Sequence, residues 1–74
     1  MTSLPHEIVA EMVANVLQVV VAPQETVAVG DTIVLLESMK MEIPVLTERA
    51  GTVDQVRVSE GDVVQEGDIL AVLR

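Results

Sequence analysis

An internal repeat constrains this 74-residue chain more than any other feature. Slid on itself by 37 residues without a gap, the sequence carries Gly30-Asp31 onto Gly67-Asp68. Val16/Val53, Gln18/Gln55, Val19/Val56, Val21/Val58, Val27/Val64 and Leu36/Leu73 are also identical at that offset, and Ala14/Gly51, Ala22/Ser59, Glu25/Asp62 and Leu35/Val72 are conservative pairs. Valine is so abundant that valine matches alone carry little weight; the Gly-Asp register decides the matter. Each half is too small to bury both faces of its own sheet. The economical solution packs one half on the other about a pseudo-two-fold axis.

The halves read as strands. Half of the residues are hydrophobic and none is aromatic, with Val, Ile and Leu dominating the apolar set, a composition that suits pleated surfaces. Turn signals recur at Asn15, Pro23-Gln24, Gly30-Asp31, Gly51, Gly61-Asp62 and Gly67-Asp68, a spacing that predicts an all-β flattened barrel or sandwich. Only a short segment from Pro5 to Val13 has helix-like apolar spacing. Residues 1–7, with Pro5 and His6, read as a flexible lead-in, and residues 8–74 as the domain. No second ligand type lies near His6 in the sequence, so it reads as a lead-in residue rather than a metal ligand.

Composition then removes several function classes. There is no cysteine, hence no disulfide framework and no thiolate metal site. Apolar runs such as Val19 to Pro23 and Ile33 to Leu36 fall far short of the ~18 to 20 residues that a spanning helix requires. Twelve acidic against four basic residues give a net charge of −8, so the phosphate-neutralising surface needed for nucleic acid or anionic lipid is missing. The first residues lack the basic region of a secretion signal, and a cytoplasmic location is expected.

Lys40 is the only lysine, and it falls between the two halves. Its equivalents at the repeat offset, positions 3 and 77, lie in the lead-in and beyond Arg74. The two-fold therefore predicts both termini at one end of the molecule and Lys40 at the other. With Met39-Lys40 as the central residues of a tight hairpin, Ser38 opposes Met41, Glu37 opposes Glu42, Leu36 opposes Ile43, Leu35 opposes Pro44, Val34 opposes Val45 and Ile33 opposes Leu46. Apolar residues then meet apolar ones below the tip; the alternative three-residue loop sets Glu37 against Ile43 and mixes the two faces. Two-residue hairpins want positive φ at both central positions, normally supplied by Asn-Gly, and facing glutamates oppose pairing on a scale of ~0.2 to 1 kcal/mol. A lone hairpin lysine is usually a solvated edge protector. Here the tip departs twice from local preference, which marks it as a place for function.

The stretch Glu37-Ser38-Met39-Lys40-Met41-Glu42, framed by Gly-Asp turns, resembles the biotinyl domain of biotin-dependent carboxylases and the small stand-alone biotin/lipoyl attachment proteins. The resemblance covers roughly Ile8 to Leu73. It implies a flattened β-barrel of two four-stranded antiparallel sheets with pseudo-two-fold symmetry, and a modified lysine on an exposed hairpin. It also implies that a biotin protein ligase joins biotin to Lys40, with Glu37, Ser38, Met39, Met41 and Glu42 as candidates for ligase recognition. Ser38 stands where many members have Ala, and Ala14 and Gln24 where many have Gly, so the first-half turns are expected to differ locally. The ungapped repeat leaves no room for the protruding thumb of some carriers. Lipoyl domains share the fold with Asp-Lys-Ala at the tip, so Met39 and Met41 favour biotin over lipoate.

The implied function is that of a carrier. Lysine stem and biotin side chain together reach on the order of 10 to 15 Å from the backbone, enough to shuttle a carboxyl group between a biotin carboxylase and a carboxyltransferase. The chain shows no Gly-rich phosphate loop and no His-assisted nucleophile of its own. Asp31, Asp62 and Asp68 read as turn residues rather than as an acidic metal site. The remaining expectations are a non-catalytic subunit or stand-alone protein, monomeric by itself. The alternatives are a lipoyl carrier or an unmodified interaction module on the same fold.

Overall fold

In the computed structural model, which describes residues 5–74, the chain forms eight strands. They are β1 (His6–Val9), β2 (Ala14–Val19), β3 (Thr26–Val27), β4 (Thr32–Ser38), β5 (Met41–Leu46), β6 (Gly51–Val56), β7 (Val63–Val64) and β8 (Ile69–Leu73). Two four-stranded sheets result, ordered β1-β8-β6-β3 and β5-β4-β2-β7, and every ladder is antiparallel. In the segment with helix-like spacing, His6–Val9 is strand and residues 10–13 are the connection to β2; His6 and Glu7 pair with Leu73 and Val72. The strand's apolar residues answer to the neighbouring β8, and β1 begins two residues before the predicted domain start. No helix among the described residues is long and apolar enough to cross a membrane.

The repeat offset carries β1 to β4 onto β5 to β8 and converts one sheet order into the other. Hydrogen bonds follow the same rule. Gly61 N donates to Val16 O at 2.8 Å and Gln24 N to Val53 O at 2.7 Å; Gly67 N donates to Ala10 O at 2.8 Å and Gly30 N to Thr47 O at 2.9 Å. The first-half turn at Gln24 therefore does not differ from its partner. Gln24 takes φ 74 where Gly61 takes φ 92, because the bond to Val53 dictates the left-handed backbone despite the Cβ.

The halves do not stack as two separate sheets, which corrects the simplest form of the expectation. Each sheet takes two strands from each half. With β3 and β7 only two residues long, neither half has enough strand of its own for a sheet, and interleaving satisfies the ladders.

The core is aliphatic and arranged as repeat pairs: Val16 with Val53, Val27 with Val64, Ile33 with Leu70, Val34 with Ala71 and Leu36 with Leu73 are all buried. A β-bulge between Thr32 and Val34, matched by one between Ile8 and Val9 against β8, lets consecutive residues turn inward. Ile33 and Val34 are both 0% exposed, as are Leu70 and Ala71.

Candidate functional site

The β4–β5 hairpin has the predicted register from its tip down to Val34 opposite Val45. Below that point Thr32, not Ile33, opposes Leu46, because the bulge turns Ile33 into the core. At the tip Met39 has φ 52 and Lys40 has φ 64, the pair of positive values that a type I′ turn demands. Neither residue type favours that backbone, and each non-glycine residue in the left-handed region costs about 1–2 kcal/mol.

The register at the other end places Pro5 and Arg74. His6 opposes Leu73 as Ile43 opposes Leu36, so β1 and β8 occupy the position of an open hairpin, related by the two-fold to the one that carries Lys40. Lys40 thus stands at the end away from Pro5 and Arg74.

The six predicted site residues all lie at this tip. Lys40 is exposed, Met39 is 91% exposed and Met41 is also exposed. Glu37 and Glu42 face each other across the ladder, Glu37 half-buried and Glu42 exposed. The one ion pair among the described residues joins Arg74 to Asp54, so the Lys40 amine is not held by a carboxylate. Ser38 acts on the scaffold, where its hydroxyl donates to the Val13 carbonyl at 3.2 Å. This bond tethers the hairpin to the β1–β2 connection across 25 residues of sequence. Sequence reasoning missed Val13, since a backbone acceptor leaves no mark in residue type.

The aspartates serve the turns. Asp31, Asp62 and Asp68 accept from the backbone N–H groups of Ala28, Ser59 and Gln65 at 2.8–2.9 Å, three residues upstream in each case. Glu25 does the same for Ala22 at 3.1 Å. Their spacing is turn chemistry repeated by the two-fold.

The Met39 backbone carries a direct expectation. Met39→Asn is expected to stabilise the protein by about 0.5–1 kcal/mol, since Asn tolerates the left-handed region that Met enters under strain. The check is the urea midpoint at constant m value; a lower midpoint would show that the Met side chain stabilises the tip.

The structure is a flattened antiparallel barrel that presents its one lysine on an exposed hairpin with left-handed backbone at the tip. Residues 4–73 match the biotin/lipoyl family model, described as a biotin-requiring enzyme. The chain belongs to that family. It is 54% identical over 70 residues to a biotinylated protein TB7.3 homolog of Mycobacterium leprae, covering 95% of this chain and 99% of that one. It is 43% identical over 63 residues to a biotin/lipoyl attachment protein of Bacillus subtilis, covering 85% and 86%. Among solved structures, the urea carboxylase of Kluyveromyces lactis superposes with a TM-score of 0.90 at 27% identity, over all of this chain and 6% of that one.

Proposed function

We propose that this protein is a biotin carrier in which Lys40 is the covalent attachment point, loaded by a biotin protein ligase and serving a biotin-dependent carboxylase. The observation that carries the reading is the exposed Lys40 amine, free of ion pairing among the described residues, in a type I′ turn at the end opposite Pro5 and Arg74. The family match and the biotinylated relatives support biotin as the group.

The chain's own part in the chemistry is limited and specific. Lys40 Nζ gives up a proton and forms an amide with the activated carboxyl carbon, from which the activating group departs. The turn fixes where the arm starts, and the Ser38 tether to Val13 limits its swing. Glu37, Ser38, Met39, Met41 and Glu42, beside Lys40 at the tip of the hairpin, form the surface that the ligase reads. When bound, biotin supplies a ring nitrogen that carries a carboxyl group from a biotin carboxylase to a carboxyltransferase. The protein acts as the tether and not as the catalyst, a monomer in the cytoplasm.

Incubation with a biotin protein ligase, ATP and biotin tests this. Intact mass is expected to rise by one biotinyl group, and the formal charge of −8 to become one unit more negative, which a native gel resolves. An unchanged mass under conditions that load another carrier would sink the reading. A lipoyl adduct on protein isolated from its host would assign the chain to lipoate instead.

A further inference from the structure

The pseudo-two-fold provides an internal control for each surface position, and it singles out the outer face of the Lys40 sheet. That face presents Pro44 and Leu46 on β5, Leu35 on β4, Leu17 on β2 and Val63 on β7. Leu17, Leu46 and Val63 are 37%, 50% and 66% exposed, Pro44 is exposed and Leu35 is half-buried. In the order β5-β4-β2-β7, Leu35 lies opposite Pro44 on one side and opposite Gln18 on the other, with Leu17 at the bulge beside Gln18, while Val63 lies opposite Asn15.

On the other sheet the equivalents of Pro44, Leu17 and Val63 are Glu7, Asp54 and Thr26, while those of Leu46 and Leu35 are the apolar Val9 and Val72. Asp54 there forms the ion pair with Arg74 at 2.8 Å. The same fold thus accepts polar groups at all three positions, so folding does not require apolar ones on the Lys40 sheet. Contiguous exposed apolar side chains of this kind mark interaction surfaces.

Charge sets the character of the partner. On this face the row nearest the tip runs Glu42, Glu37, Asn15 and Val63, each opposite the next. Neither glutamate is in an ion pair among the described residues, whereas Arg74, the equivalent of Glu37, is neutralised by Asp54. An apolar belt of Leu46, Pro44, Leu35 and Leu17, interrupted at Gln18, thus lies one row behind the carboxylates that border the Lys40 turn.

We propose that this face docks the enzyme that acylates Lys40, through a complementary apolar ridge flanked by lysine or arginine side chains. The inference rests on the reading of Lys40 as the attachment site. An acylating enzyme must select Lys40 before any group is attached, so it can read only this chain's surface. A two-residue tip offers little area, and specific association draws on a desolvated apolar centre with a polar rim. Enzymes that use the loaded carrier instead receive a group at the end of an arm on the order of 10 to 15 Å long and need less of the protein.

The test places the repeat's own residues on the Lys40 sheet: Leu17→Asp with Val63→Thr. With purified biotin protein ligase, ATP and biotin, KM for the double variant is expected to rise about tenfold or more, with kcat changed less than about twofold. Thr26→Val on the far sheet is expected to leave both constants unchanged. Circular dichroism melting checks the fold, and if the double variant melts below the assay temperature, Pro44→Glu reads the same face. An unchanged KM in a folded variant overturns the docking inference alone. A wild-type protein that takes no group removes the attachment reading and this inference with it. A wild-type dimer that Leu17→Asp dissociates would assign the face to a second copy, and would overturn it too.

Discussion

The Lys40→Arg protein is expected to leave a ligase reaction with its mass unchanged and no streptavidin-reactive band, while its stability stays within about 0.5 kcal/mol of wild type. Arginine keeps the charge and the stem, but its guanidinium remains protonated and offers no free amine to an activated carboxyl group. Loss should be complete rather than partial, because Lys40 is the only lysine and no second side-chain amine can replace it. A sharper form moves the amine by one position, combining Lys40→Met with Met41→Lys. Residue 41 is the first of β5 and pairs with Ser38, whereas residue 40 has the left-handed backbone of the turn. The displaced amine leaves along a different direction, and displacements of about an ångström can slow a reaction a hundredfold. Modification of the shifted lysine at the wild-type rate would show that the ligase tolerates a mobile target and that turn geometry contributes nothing.

How much of this was legible in the sequence follows from how local each determinant is. The Gly-Asp register exposed the two-fold, and the two-fold placed Lys40 opposite the termini. Apolar matching from Leu36/Ile43 to Val34/Val45 fixed the hairpin register, because a one-residue slip would turn Leu36 outward. The bulge at Ile33 was hidden: Ile33-Val34-Leu35-Leu36 is a continuous apolar run, and nothing in it shows that two consecutive residues face inward. Interleaving of the halves was hidden for a related reason, since strand partners are chosen by the packing of the whole barrel. The tip residues were legible as a cluster through Met39, Lys40 and Met41. The Ser38 tether was not, because its acceptor is the Val13 carbonyl. The asymmetry of the two outer faces was present in the repeat all along, as Leu17 against Asp54 and Val63 against Thr26. It acquired meaning only when the strand order placed those positions on a common face.

Leu70→Ala is expected to destabilise the protein more than any substitution at the tip, by about 3–4 kcal/mol. Leu70 is 0% exposed, and it lies at the β8 bulge that the two-fold relates to Ile33. No aromatic side chain is present to fill a void, and both bulges hold their inward residues in place through the ladders, so the cavity collapses poorly. Total stability for a chain of this length is of order 5–10 kcal/mol, so the variant forfeits a third or more of it. Its midpoint should fall by roughly 12 °C or more, at about 4–8 °C per kcal/mol for a domain of this size. Ile33→Ala should behave alike if the two-fold governs energetics as it governs geometry. Leu46→Ala, on the half-exposed outer face, should lose less than about 1 kcal/mol. Thermal melts of the three variants separate the possibilities: comparable losses at positions 33 and 70 establish a core shared evenly by the halves. A small loss at 70 with a large one at 33 would show that the Lys40 sheet carries the stability. In either case the Leu70→Ala protein that remains folded keeps its β4–β5 turn and should accept biotin at the wild-type rate, since Leu70 lies on the sheet that does not carry the hairpin.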